Sequence, residues 1–266
     1  MSKAHLSRES LAPGVALLTL SRPERLNALT WELIDDLHAA LVDIGRDESV
    51  RVVVLTGEGR GFCAGLDIVN DDPFGRKKPP QVVFDRQERV AGLALALRNL
   101  PQPVIAAVNG PASGGGLALA LASDIRLAAP SAIFNVAFVR IGLSGCDVGV
   151  SHLLPRIVGL GMASELMLTG RRVDAEEALR IGLVNRVVPE ESLLEEAVGL
   201  AAEITRNSPF GVRMTKQVLG RNVDAPSLEA AIDLENRTQV VATRTGDAKE
   251  ALEAFLARRT PTFDNR

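Results

Sequence analysis

Twice in the first half of this chain an apolar, strand-like run ends in a glycine-bearing turn that leads into a second apolar segment, and no other feature restricts the fold as much. Val50 to Thr56 runs into Gly57-Glu58-Gly59 and then Gly61 to Ile68. Pro103 to Val108 runs into Asn109-Gly110-Pro111, Gly114-Gly115-Gly116 and an apolar helix from Leu117 to Ala122. A short β-branched run bounded by Gly and Pro reads as a buried strand. Two such units predict an α/β protein in which two backbone turns, at residues 50 to 68 and 103 to 122, face one pocket.

The rest of the chain fits around that pair. Val15 to Leu20 reads as a strand stopped by Ser21-Arg22-Pro23. Thr30 can cap a helix whose apolar positions Leu33, Ile34, Leu37, Leu41 and Ile44 recur at helical spacing before Gly45. A polar stretch from Asp71 to Pro80 precedes an amphipathic helix from about Val82 to Leu100, which Pro101 and Pro103 end. Two short strands follow Asp124, at Ile125 to Ala128 and Ala132 to Val136, and then a glycine-rich turn from Ile141 to Gly149. From Glu190 the pattern is helical, with Pro209, Pro226 and Gly246 at the joints and a final helix from Asp247 to Arg259. The expected division is a core over residues 1–200 and a helical region over 201–266 that packs on another subunit.

Composition excludes several classes. At 266 residues, 46% hydrophobic and 24% charged, the chain can bury a substantial core, and a net charge of -3 without a basic stripe argues against a nucleic-acid protein. Lys77-Lys78 reads as a solvated loop. No apolar run is long enough for a membrane span, and Met1 to Ser10 lack the apolar segment of a secretory signal. The two cysteines, Cys63 and Cys146, stand outside any CxxC pattern, so neither a disulfide framework nor a structural zinc site is expected. A cytoplasmic location follows as an expectation.

Gly61-Phe62-Cys63-Ala64-Gly65-Leu66-Asp67-Ile68 and Ala107 to Gly116, in this order, resemble the two oxyanion-hole segments of the enoyl-CoA hydratase/isomerase (crotonase) family. Ser21-Arg22-Pro23 before Leu26-Asn27-Ala28-Leu29, and the later Leu168-Thr169-Gly170, extend the likeness from about residue 11 to Phe263. The resemblance implies a crotonase-like spiral of ββα units with a helical C-terminal trimerisation region, assembled as a homotrimer or a dimer of trimers. It implies an acyl-CoA thioester as substrate, with coenzyme A part of that substrate and no separate cofactor or metal. By the same resemblance the amides of Ala64 and Gly115 are the carbonyl donors, aided by the helix N-terminus near Gly115. Gly65, Leu66, Asp67, Gly114, Phe138, Arg25 and Leu26 would touch substrate. Arg22, Arg25 and, from a neighbouring subunit, Arg258 or Arg259 near Phe263 are the candidates for the CoA phosphates. A rival G-x-G-x-x-A reading through Gly59, Gly61 and Ala64 requires a helix that Pro73, Pro79 and Pro80 oppose.

The sequence departs from the family where hydration needs two glutamates. Ala118 and Phe138 stand at those positions, and neither exchanges a proton. Asp147, in the turn after Phe138, resembles the catalytic aspartate of family isomerases and dehalogenases, though offset by about one residue; otherwise it bonds turn amides or caps the next helix. His152 reads as a hydrogen-bonded packing residue, His38 as a surface residue, Cys63 and Cys146 as small packing residues, and Trp31 as a core contact. Asp67 either caps a helix after the first loop or touches ligand. The expectation is an isomerase-type enzyme of acyl-CoA thioesters, the alternative a catalytically silent acyl-CoA-binding protein.

Overall fold

Apolar residues alternate along the N-terminal strands so that each face of one sheet has its own core, and the helices distribute themselves accordingly. A computed structural model describes residues 5–69 and 77–263. Its strands are β1 (Leu6–Ala12), β2 (Val15–Leu20), β3 (Val52–Gly57), β4 (Val104–Val108), β5 (Ala112–Ser113), β6 (Ile125–Ala128), β7 (Ile133–Asn135), β8 (Val173–Asp174) and β9 (Arg186–Val187). One sheet runs β1-β2-β3-β4-β6-β9, antiparallel only at the β1–β2 hairpin; the second, smaller sheet runs β5-β7-β8.

The register sets Val15 beside Val52 and Leu55 beside Ala106, and every residue of β3 and β4 is buried. Ala16, Leu18, Val53, Leu55, Val104 and Ala106 join the larger core. Their neighbours Val15, Leu17, Val52, Val54, Ile105 and Ala107 join a second core on the other face. That period of two is the strand's own geometry.

Helix α1 (Trp31–Arg46) is capped as expected, the Thr30 hydroxyl accepting from Leu33 N at 3.2 Å. Helix α2 (Pro80–Asn99) begins at Pro80, a position whose missing N–H costs nothing. Helix α3 (Gly115–Ala122) starts two residues earlier than its apolar pattern suggests, and all of it is buried. Next come α4 (Val150–Val158), α5 (Leu160–Thr169), α6 (Ala175–Arg180) and α7 (Leu193–Thr205). Leu193, Ala197 and Ala201 of α7 close the second core, so α7 crosses residue 200 as part of the sheet layer. The C-terminal helices are α8 (Pro209–Asn222), α9 (Leu228–Ala242) and α10 (Gly246–Leu256). The last ends before Arg259, because the chain turns left-handed at Arg258 (φ +52°). Between β7 and α4 the chain makes a 3-10 turn over Ala137–Ile141 before the glycine-rich turn. No helix among the described residues is long and apolar enough to cross a membrane.

Candidate active site

The first loop leaves β3 under tight backbone constraint. A Cβ at Gly57 would fall 2.2 Å from the Gly61 carbonyl oxygen, so glycine is required there. The buried Asn27 side chain donates to the carbonyls of Gly61 (2.7 Å) and Glu58 (3.0 Å) and accepts from Arg22 N (2.8 Å). From the other side Asn109 donates to Gly57 O and Gly59 O and accepts from Gly57 N. Phe62 N and Cys63 N then both donate to Pro111 O, and Ser113 N donates back to Cys63 O, which ties the two loops together. The Cys63 thiol is wholly buried and burial pushes its pKa up to about 12, so it remains a thiol.

Ala64 is a correction to the sequence reading. Its N–H already donates to Leu26 O at 2.9 Å, so it is not available to a ligand. The chain turns at Gly65 (φ +90°), and Leu66 forms a parallel bridge to Leu29 in which Leu29 N donates to Gly65 O and Asp67 N to Leu29 O. In that pattern the Leu66 N–H points away from Leu29, and no acceptor among the described residues takes it. Sequence reasoning placed Leu66 at the ligand but missed its amide.

The second loop supplies a matching donor. Gly114, left-handed at φ +51°, donates to Asn135 O and offers α3 no side-chain cap. As the first residue of α3, Gly115 has an N–H without an intrahelical acceptor. The two amides sit close together: a Cβ on Gly65 would lie 3.2 Å from Gly115 N, and one on Gly115 would lie 3.9 Å from Leu66 N. Gly116 serves packing instead, since a Cβ there would stand 2.0 Å from Cys63 O.

The walls are apolar where a hydratase would need carboxylates. Ala118 is fully buried one turn into α3, and the Phe138 ring lies over Gly114, 3.4 Å from where its Cβ would be. Asp147 is half-buried; its Oδ1 accepts from Gln87 Nε2 of α2 (2.5 Å) and from Val148 N (2.8 Å). Asp147 therefore bonds a turn amide, while Gly149 occupies the cap position of α4. The next residue, Val148, is held at φ +45°, a conformation that costs a β-branched residue on the order of 1–3 kcal/mol.

Several candidates are placed elsewhere. Arg22 is buried, donating to Ala28 O (2.5 Å) and pairing with the equally buried Asp67 (3.0 Å), so it is spent within the protein. Asp67 caps no helix; its Oδ1 accepts from Val69 N. Arg25 is exposed beside Leu26, which is half-buried at φ +49°. Arg259 pairs with Glu250 of its own chain at 2.6 Å, and Arg258 is exposed with no carboxylate partner among the described residues. Cys146 is exposed rather than packed. His152 is also exposed, 3.5 Å from Asp224, and not a packing residue. His38 is half-buried, its Nε2 2.8 Å from Arg89 O, and Trp31 lies partly buried under the Arg86 guanidinium at 4.8 Å. Among the described residues no cluster of His, Cys, Asp or Glu could hold a metal ion. Residues 70–76, in the polar stretch before α2, lie outside the described residues.

Known proteins share this architecture. The family model described as enoyl-CoA hydratase/isomerase matches residues 11–266. A probable enoyl-CoA hydratase, EchA12, of Mycobacterium tuberculosis is 45% identical over 94% of this chain and 90% of its own. The 1,2-epoxyphenylacetyl-CoA isomerase of Escherichia coli is 40% identical over 95% of this chain and 96% of its own. The crystal structure of a probable enoyl-CoA hydratase/isomerase from Mycobacterium abscessus superposes with a TM-score of 0.91 at 41% identity, covering 99% of this chain and 100% of that one. With the match spanning the whole core and both glycine loops, this chain belongs to the enoyl-CoA hydratase/isomerase family.

Proposed function

We propose that this enzyme-family member binds an acyl-CoA thioester with its carbonyl oxygen between the main-chain N–H groups of Leu66 and Gly115, and moves a proton between carbons of the acyl part. The observation that carries the reading is the pair of neighbouring amides, one from each loop, that no acceptor among the described residues takes. Negative charge on the thioester oxygen of an enolate would sit against both donors and the N-terminus of α3, and one such donor contributes about 3 kcal/mol to the transition state. The thioester thereby makes its α-carbon acidic enough for a carboxylate to deprotonate.

Proton transfer falls to Asp147. Its Oδ1 is held by Gln87 and Val148, while Oδ2 has no partner among the described residues. The carboxylate takes a proton from one carbon, the enolate or dienolate is held by the two amides, and the proton returns at another carbon, so no water is consumed. Two observations favour isomerisation over hydration: Ala118 and Phe138 leave no second acid/base group, and a relative 40% identical bears the name of an acyl-CoA isomerase. The same pair of apolar residues supports a second reading, a silent acyl-CoA-binding protein that keeps only the carbonyl clamp.

The test offers the purified protein crotonyl-CoA, longer 2-enoyl-CoAs, 3-enoyl-CoAs and dienoyl-CoAs, following turnover by absorbance and binding by calorimetry. Double-bond migration that falls roughly 10²–10⁴-fold in Asp147→Asn, with binding intact, is the expected result. Binding without turnover of any of these substrates would favour the silent binder.

A further inference from the structure

At the end of β4 remote from the two glycine loops, the C-terminal turn of α2 and one face of α8 enclose a cavity of about 270 Å³. Arg98 and Asn99 line it from α2, and Arg213, Lys216, Gln217 and Arg221 from α8; no carboxylate lines it. The α8 positions follow helical spacing, so they form one stripe. Gly220 belongs to that stripe and makes room for Arg98, whose Nη2 would lie 3.3 Å from a Cβ added there.

Lys216 is the floor of the cleft. Its ammonium donates to Asp124 (2.8 Å), Gln102 O (2.9 Å) and Leu97 O (3.1 Å), which satisfies its three donors and closes the end of α2. Asp124 also stands 3.5 Å from Arg98 and is the one carboxylate shared by these two cations. Arg213 and Arg221 have no carboxylate partner among the described residues, whereas Arg8, Arg156 and Arg171 are each paired with one. Four cations line this cavity against one carboxylate in contact with them among the described residues, which leaves the cleft net positive in a chain of net charge -3.

We propose that this cleft is an anion site for a small oligophosphate of the diphosphate class, gripped by the guanidinium groups of Arg98, Arg213 and Arg221. Guanidinium matches phosphate because its planar fork donates two parallel hydrogen bonds. Arg213 and Arg221 are separated by about 12 Å along the helix axis, so an anion longer than orthophosphate engages both. The lining contains no aromatic ring on which a nucleobase could stack.

The site is tested on the full chain at low salt by calorimetry with sodium diphosphate and with orthophosphate. Diphosphate should bind at least roughly tenfold tighter than orthophosphate, and Arg213→Gln/Arg221→Gln should weaken it at least roughly tenfold. These exposed changes should leave the kcat and KM for acyl-CoA as they were. Three results would each overturn the assignment: no diphosphate binding at low millimolar concentration, equal affinity in the double variant, or a raised KM for acyl-CoA in that variant, which would make the cleft part of the substrate site.

Discussion

Gly116 has no room for a side chain, its would-be methyl standing 2.0 Å from Cys63 O, whereas at Gly115 the nearest atom, Leu29 Cδ1, is at an ordinary 3.4 Å. The two positions should therefore separate stability from chemistry. Gly116→Ala forces the loops apart and should cost about 3 kcal/mol in denaturant unfolding. Gly115→Pro, at a helix position that accepts proline, replaces the donor N–H by a ring methylene that faces the carbonyl oxygen, and should lower turnover at least roughly 10²–10³-fold. Unchanged turnover in Gly115→Pro would end the carbonyl-donor reading. Gly115 was legible through the likeness of its loop to the family's second oxyanion-hole segment, and its place as first residue of α3 supplies the physical ground. The sequence did not distinguish Ala64 from Leu66. That choice depends on Leu26 O taking the Ala64 N–H and on the Leu29 bridge turning Leu66 outward, contacts between segments far apart in the chain. The occupant of an amide is fixed by tertiary pairing, which residue type does not record.

Helices and strands were read well wherever one face was apolar: Thr30 and the Leu33 to Ile44 stripe give α1 almost to the residue. The link from Arg22 to Asp67 was not legible, because both residues also suit a phosphate or ligand contact. In the structure this buried pair joins the turn before α1 to the residue after Leu66, and so fixes the donor loop. Removing one partner leaves a buried charge alone, so Asp67→Asn should destabilise the protein by about 3–5 kcal/mol. Replacing both residues with apolar ones of similar size should recover much of that loss, and a double-mutant cycle in urea measures the coupling. At the other end of the chain, Glu250 is held by Arg259 and by Thr262 N, which lowers its pKa to about 2. A depressed carboxylate pKa contributes above the unfolded value of 4.5 and is lost as pH falls toward 2. The NMR titration of Glu250 should thus have its midpoint well below 4.5, and Arg259→Gln should move it back up.

The molecule as a whole leaves apolar surface uncovered in one region. Helix α8 is anchored by the Lys216 side chain and α9 buries no residue, while Leu228, Val240 and Val241 of α9 are exposed. On α10, Leu252, Phe255 and Leu256 fall on one helical stripe, with Phe255 79% exposed. Short helices are marginal without packing, so a lone protomer gives α9 little reason to hold its shape. Exposed apolar side chains of this kind call for a partner surface, and a second copy of the chain offers the same ones. We expect the protein to sediment as a trimer or a dimer of trimers at micromolar concentration. Leu252→Glu/Phe255→Glu should shift it to protomers while the core, closed by α7 on the sheet, keeps its circular dichroism. A variant that stays assembled, or a wild type that sediments as a monomer, would show that these helices are not the subunit contact.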